Sequence, residues 1–144
     1  MTTDSPSAPE GLLRRPDRLY DGYVFDLDGT VYLGNALLPG AAELVERVRA
    51  MGRRTVFLSN NPTRDPQMYA DKLGGLGIAT PLDDIVNPVV TVPRWLNEHH
   101  PGAGVFAISE EPLKRALVAA GIRLTEDPEE IDVVLASYDR TFEY

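Results

Sequence analysis

A short apolar run, Tyr23-Val24-Phe25, stops at Asp26-Leu27-Asp28-Gly29-Thr30. Strand formers followed by two aspartates and a glycine read as a buried strand entering a loop. Beyond Pro39-Gly40, Ala41, Leu44, Val45 and Val48 recur at the spacing of an amphipathic helix. Arg47 and Arg49 suit the negative end of its dipole, and Gly52 suits the position just past its last turn. Arg54-Thr55-Val56-Phe57-Leu58 then reads as a second buried strand, ending at Ser59-Asn60-Asn61. Strand, helix, strand in that order is a βαβ unit, and its two strands must run parallel. The chain is therefore committed to an α/β fold built on a parallel sheet.

The same alternation continues. Asp65-Pro66 reads as a helix N-cap with proline at the first helical position, and Tyr69, Leu73 and Leu76 follow on one face, with Gly74-Gly75 weakening the end. Pro81 to Asp84 reads as a connection. Asn87-Pro88 opens a further helix towards Trp95 and Leu96, which Pro93 is expected to kink or shorten. Val105–Ile108 reads as a strand, Pro112–Ala120 as a helix capped by Gly121, and Ile131–Ala136 as another strand. Three segments are expected: a disordered tail and lead-in over 1–19, rich in Ser, Thr, Pro and Ala at its start, a first α/β unit over 20–84, and a second over 85–144.

Charge and composition narrow the function classes. The 144 residues carry a net charge of -8, and the basic cluster Arg14-Arg15-Pro16-Asp17-Arg18 is short and interrupted, so no nucleic-acid partner is expected. The absence of cysteine excludes disulfides and thiolate metal sites. The N-terminal MTTDSPSAPE lacks the basic and apolar regions of a signal peptide, and no apolar run reaches transmembrane length. A cytoplasmic protein without a membrane partner is expected.

Asp26 and Asp28 stand two residues apart at a strand end, so their side chains point the same way and Leu27 points to the other face. Two carboxylates thus share one volume above the C-terminal end of a parallel sheet, where ligands bind in open α/β folds. Close carboxylates repel unless one is protonated or a cation lies between them. Mg²⁺ suits oxygen ligands of this kind, and one carboxylate can attack phosphorus while the other moves a proton. Gly29 permits the sharp turn and close backbone approach a phosphate needs. The plainer reading is a strand end with two solvated aspartates and a turn glycine. Two context features weigh against it: the preceding apolar strand, and a second strand that also ends in polar residues one βαβ unit later.

These residues resemble a known family. Tyr23-Val24-Phe25-Asp26-Leu27-Asp28-Gly29-Thr30-Val31 is similar to the first motif of the haloacid dehalogenase (HAD) superfamily, DxDGT after an apolar strand. Phe57-Leu58-Ser59-Asn60-Asn61 resembles the second motif, and the double Asn followed by Pro-Thr-Arg, with Tyr32-Leu33-Gly34, resembles the class IIA subgroup of NagD-like and p-nitrophenyl phosphatases. The region from Val105 to Tyr144 is similar to the first half of that subgroup's α/β C2-type cap. The resemblance runs from about Tyr20 onward and implies a partial Rossmann-like HAD core with the first half of a cap. It implies a Mg²⁺-dependent phosphatase of small phosphorylated metabolites. Asp26 would be the nucleophile and Asp28 the general acid and base; Asp26 would ligate Mg²⁺ by its side chain and Asp28 by its backbone carbonyl. Ser59 would hydrogen-bond a phosphoryl oxygen, and Asn60 and Asn61 would help hold the substrate.

The family's third motif supplies a lysine and its fourth further aspartates, both after the cap; this sequence stops inside the cap. Neither of its lysines follows a core strand, and Lys72 and Lys114 read as solvated helix residues. Asp83-Asp84, the acidic run Asp127, Glu129 and Glu130, and His99-His100 read as turns and solvated loops rather than metal ligands. Without the strands the resemblance places beside the first strand, a bare edge and an uncovered apolar face are expected. Three outcomes follow: a longer native protein, a complementing C-terminal half or homo-oligomer partner, or a degenerate homologue. The competing function is therefore a catalytically inactive or split relative that binds a ligand or serves as an assembly partner. A phospho-acceptor receiver domain ranks below both, because no isolated aspartate follows the Val56-Phe57-Leu58 strand.

Overall fold

The computed structural model describes residues 18–141. The expected disorder at the start of the chain, and Tyr144, lie outside these residues. In chain order the elements are β1 (Gly22–Asp26), β2 (Tyr32–Leu33), β3 (Ala36–Leu37), α1 (Ala41–Ala50), β4 (Arg54–Leu58), α2 (Pro66–Gly75), a single 3₁₀ turn (Leu82–Asp84), β5 (Ile85–Val86), α3 (Pro88–His99), β6 (Gly104–Ile108), α4 (Glu111–Ala119), β7 (Arg123–Leu124) and β8 (Val133–Ala136).

The expected βαβ unit is present. β1 and β4 pair in parallel, with Val24 opposite Val56 and Asp26 opposite Leu58, and β5 adds in parallel on the far side of β4. Alternation along β4 buries Thr55 and Phe57 on one face. That face, with Leu27, Val31, Tyr32, Val45, Tyr69 and Leu73, forms the first core. The opposite face stays open: Val24 is 66% exposed and Leu58 44%. β1 has β4 as its only neighbour among the described residues, so its outer edge is unpaired.

Both early helices end as their sequences dictate. Gly52, just past α1, takes φ +69°, a left-handed conformation in which only glycine is unstrained. Asp65 caps α2 by accepting the Met68 N–H at 2.9 Å, with Pro66 at the first helical position.

A second parallel sheet, ordered β7-β6-β8, follows, with β6 central. Val105 on β6 packs with Val89 and Leu96 of α3 and with Leu113 and Leu117 of α4 to form the second core. Three differences from the sequence reading stand out. α3 runs uninterrupted through Pro93, because Val89, Pro93 and Leu96 lie on one buried stripe and their packing outweighs the lost backbone hydrogen bond. Ile85 and Val86, placed after the 84/85 division, hydrogen-bond to β4 and belong to the first sheet. The β2–β3 hairpin and β7 are additional; each strand has only two residues, too few to carry a period.

Candidate active site

Asp26 is the last residue of β1, and Asp28 follows two residues on. Between them Leu27 is fully buried, and its carbonyl accepts the N–H groups of Thr30, Val31 and Tyr32 at 3.2, 2.9 and 3.2 Å. Buried Val31 and Tyr32 hold the far side of this turn. The segment Asp28-Gly29-Thr30 is thereby pinned at both ends and left exposed above the sheet. Gly29 sits at φ +86° and donates its N–H to the Tyr32 carbonyl at 2.8 Å. The Thr30 hydroxyl donates to Asp26 Oδ2 at 3.2 Å, which fixes one carboxylate oxygen and leaves the other to face outward.

β4 delivers the second set of groups. The Ser59 N–H donates to the Val86 carbonyl at 3.0 Å, so the ladder to β5 fixes its backbone. Its hydroxyl oxygen lies 2.9 Å from the Tyr69 hydroxyl and accepts the Asn61 N–H at 3.2 Å. The Asn61 side-chain oxygen accepts both the N–H and the hydroxyl of Thr63, at 2.9 and 2.8 Å. This Asx turn engages Asn61 within its own loop.

Asp26, Asp28, Ser59 and Asn60 line one open cavity of about 520 Å³, together with Leu58, Val86, Asn87, Pro88 and Thr91. Asn61 is not among its lining residues. Asn87 and Thr91 are contributions the sequence did not announce. Asn87 is 1% exposed; its Oδ1 caps α3 through the Val90 N–H at 3.3 Å, and its Nδ2 donates to the Arg64 carbonyl at 2.7 Å. It thereby ties the start of α3 to the loop that follows β4. The first turn of α3 brings the positive end of a 12-residue helix dipole to the cavity wall. A larger cavity of about 650 Å³, lined by Trp95, Leu96, Val134 and Leu135 among others, shares Thr91 with the first but has one carboxylate, Asp132, and neither the aspartate pair nor Ser59.

Behind the site lies a layer of aromatic and cationic side chains. Tyr32 is fully buried, and its hydroxyl has no hydrogen-bond partner among the described residues. Burial pushes its phenol well above the usual range, and the Asp28 carboxylate adds to this. Burial also raises the Tyr69 phenol; the Ser59 hydrogen bond opposes and Asp28 reinforces the shift. Lys72, one turn beyond Tyr69 on α2, corrects an expectation: it is not a solvated helix residue. Its Nζ lies 3.5 Å from the centre of the Tyr32 ring, a cation–π contact. Burial lowers its pKa, as does the nearby Arg64 charge, while Asp28 acts the other way.

Asp84, Glu130 and Asp139 lie in turns and loops with partners of their own. Asp84 pairs with Arg54 at 3.2 Å, and Glu130 with Arg123 at 2.7 Å. His99 and His100 are exposed and pack against Trp95. Asp139 accepts the N–H and hydroxyl of Thr141. Among the described residues, no group of three or more His, Cys, Asp or Glu side chains is arranged to hold a metal ion. The site offers two carboxylates. Hard oxygen donors of like charge on one cavity suit Mg²⁺, which is often bound through one or two carboxylates with water and phosphate oxygens completing its shell.

Comparison with known proteins gives a consistent result. The haloacid dehalogenase-like hydrolase family is matched over residues 23–123. The chain is 35% identical over 141 residues to the sugar phosphatase AraL of Bacillus subtilis, covering 98% of this chain and 48% of that protein. It is 33% identical over 125 residues to an acid sugar phosphatase of Staphylococcus saprophyticus, covering 87% of this chain and 48% of the other. A 4-nitrophenylphosphatase from Thermotoga maritima superposes with a TM-score of 0.76 at 30% identity, over 86% of this chain and 47% of that one. A glycerol phosphate phosphatase from Mycobacterium tuberculosis, in complex with magnesium, gives 0.74 at 29% identity, over 86% and 38%. The chain thus spans about half the length of the curated relatives it matches.

Proposed function

Since the chain belongs to the haloacid dehalogenase-like hydrolases, we propose that it carries the nucleophile half of a Mg²⁺-dependent phosphatase acting on small phosphorylated metabolites, sugar phosphates among them. One observation carries the proposal: two exposed carboxylates, Asp26 and Asp28, and the Ser59 hydroxyl line a single cavity at the C-terminal ends of two parallel strands.

The chemistry follows from the positions. An Asp26 carboxylate oxygen attacks phosphorus and the bond to the leaving alkoxide breaks, giving an aspartyl-phosphate. Asp28 gives its proton to the departing oxygen, then accepts one from the water that hydrolyses the acyl phosphate. The Thr30 hydroxyl on Asp26 Oδ2 holds the nucleophile in orientation. Ser59 donates to a phosphoryl oxygen, and the exposed Asn60 amide helps hold the substrate; Asn61 shapes the loop from which Asn60 projects. Mg²⁺, held by the Asp26 carboxylate and the Asp28 carbonyl, would offset the combined negative charge of nucleophile and phosphate. The start of α3 adds a fixed positive dipole to the same wall. No described helix is long and apolar enough to cross a membrane; a cytoplasmic location belongs to the same proposal.

A second reading keeps the ligand and drops the turnover. It is favoured by the absence of a third metal-ligating side chain among the described residues and by the unpaired edge of β1. On this reading the chain acts through a complementing C-terminal half or as a homo-oligomer. Hydrolysis of p-nitrophenyl phosphate with Mg²⁺ separates the two, comparing the chain with its Asp26→Asn variant. Turnover that disappears in the variant is the expected result for an active enzyme. Equal rates in both would remove the claim that this chain alone is catalytic, and activity gained on adding a C-terminal polypeptide would identify a split enzyme.

A further inference from the structure

Ser59 is 3% exposed, yet it lines the cavity while its hydroxyl bonds the buried Tyr69. A hydroxyl has one proton and two lone pairs. One lone pair of Ser59 Oγ is taken by the Asn61 N–H at 3.2 Å. The remaining protein partner is the Tyr69 hydroxyl at 2.9 Å, and either oxygen can donate. The direction of that one hydrogen bond decides whether the Ser59 proton is available to a ligand.

If Ser59 donates inward, Tyr69 must place its own proton on the Asn61 carbonyl, at a long 3.4 Å. Both protons are then placed, and Ser59 keeps one lone pair but no proton to offer an anion in the cavity. If Tyr69 donates to Ser59, both Ser59 lone pairs are filled and its proton is free to point at an anion. Burial raises the Tyr69 phenol, so its oxygen keeps the proton across neutral pH. Tyr69 is itself fully buried in the first core, on the face of α2 that also holds Leu73, so it cannot rotate away.

We propose that Tyr69 is a positioning residue that acts through Ser59: by donating to Ser59 Oγ it turns the Ser59 proton outward onto a phosphoryl oxygen, and it takes that proton inward when the cavity holds no anion. The inference rests on the phosphatase reading of the site and adds a residue that contacts no substrate. Tyr69 belongs to the hydrophobic stripe of α2, which is why its pattern in the sequence marks it only as core.

The test is a double-mutant cycle on binding of orthophosphate in the presence of Mg²⁺, using the full chain and isothermal titration, so that it does not depend on turnover. Ser59→Ala is expected to weaken phosphate binding by on the order of tenfold or more, as for a hydrogen bond to a charged group. Tyr69→Phe keeps the ring in the core and is expected to weaken binding roughly threefold to tenfold, as for a neutral hydrogen bond. Its effect should vanish in the Ser59→Ala background, because nothing is left for it to orient. An equal loss in both backgrounds would show that Tyr69 only packs, and no loss at all would also overturn the proposal. If Tyr69→Phe fails to fold, the Asn61 amide resonance of the wild type carries the test, since its N–H bonds Ser59 Oγ. It should shift on phosphate addition, and a fixed resonance with phosphate bound would overturn the proposal. Failure of the folded wild type to bind phosphate at all would refute the phosphatase reading and this inference together, a pattern distinct from the others.

Discussion

At the scale of single residues, one buried polar group behind the site is unsatisfied and held by packing. That group belongs to Tyr32. Its hydroxyl is buried without a partner among the described residues, while its ring supports Lys72 Nζ at 3.5 Å. An unsatisfied buried hydroxyl costs roughly 1–3 kcal/mol, and removing it without changing shape recovers part of that. Tyr32→Phe is therefore expected to raise stability by about 1 kcal/mol at neutral pH in a urea titration. A decrease would mean that the hydroxyl is hydrogen-bonded in solution. The pH dependence has a definite sign. The folded phenols of Tyr32 and Tyr69 are raised, chiefly by burial. Below the ordinary tyrosine value of about 10, folded and unfolded chains both keep these protons; above it the unfolded chain releases them first, and stability falls. The lowered pKa of Lys72 works oppositely, favouring the folded state as pH approaches about 10.4 from below. The melting temperature should therefore drop above about pH 10, and less steeply in Tyr32→Phe. An identical alkaline slope in the variant would show that Tyr32 does not contribute. Gly29 tests the backbone alone. Its φ is +86°, and an added Cβ would meet no atom within 4 Å. Gly29→Ala should thus lose about 1–2 kcal/mol through conformation only.

At the scale of elements, the first turn of α3 does double service, as a helix cap and as a cavity wall. Asn87 contributes one oxygen to the cap and one amide to the Arg64 carbonyl. Asn87→Ala removes both and should destabilise by about 1–2 kcal/mol or more, since a cap is lost and a carbonyl is left without its partner. Asn87→Ser keeps a neutral oxygen for the cap and removes the amide. It should recover about half of that loss in a thermal melt while still loosening the loop after β4. If the two variants melt alike, the cap carries no weight and the loss belongs to the bond to Arg64. These elements also show what the sequence could and could not convey. β1, α1, β4 and α2 were legible because each has a period or a cap signal several residues long. β2, β3, β5 and β7 were not, because two residues have no period and their pairing is settled by tertiary contacts. Asp26, Asp28, Ser59 and Asn60 were legible for a related reason: each sits at the end of a recognisable strand, where an α/β fold gathers ligand-binding groups. Asn87, Thr91, Tyr69 and Lys72 reach the site from separate helices, and their local pattern is only that of a cap, a first turn and a core stripe. Helical spacing alone marks Lys72 as solvated, because it does not reveal that its Nζ lies over the Tyr32 ring.

For the whole molecule, the decisive feature is the first sheet. β1 pairs only with β4 among the described residues, and the face bearing Val24 and Leu58 is open. Unpaired edges template further strands, and exposed apolar faces attract cover. In the first three-stranded sheet the same strand, β1, presents both and ends at Asp26, so whatever covers this face also approaches the site. Self-association is the expected behaviour of the chain alone, by pairing at β1 or stacking on the open face. Sedimentation of the wild type should show concentration-dependent oligomers. Val24→Lys, placing a charge at a 66% exposed position, should shift them towards monomer without lowering the melting temperature. A polypeptide matching the remaining length of the sugar-phosphatase relatives should compete for the same surface. It should dissolve the oligomers of the wild type and bind the Val24→Lys variant more weakly. A wild-type chain that stays monomeric at all concentrations and ignores that polypeptide would refute this account of the open face. If oligomers and complement seek one surface, the two should be mutually exclusive states of β1, with the ratio of chain to complement setting which one is populated.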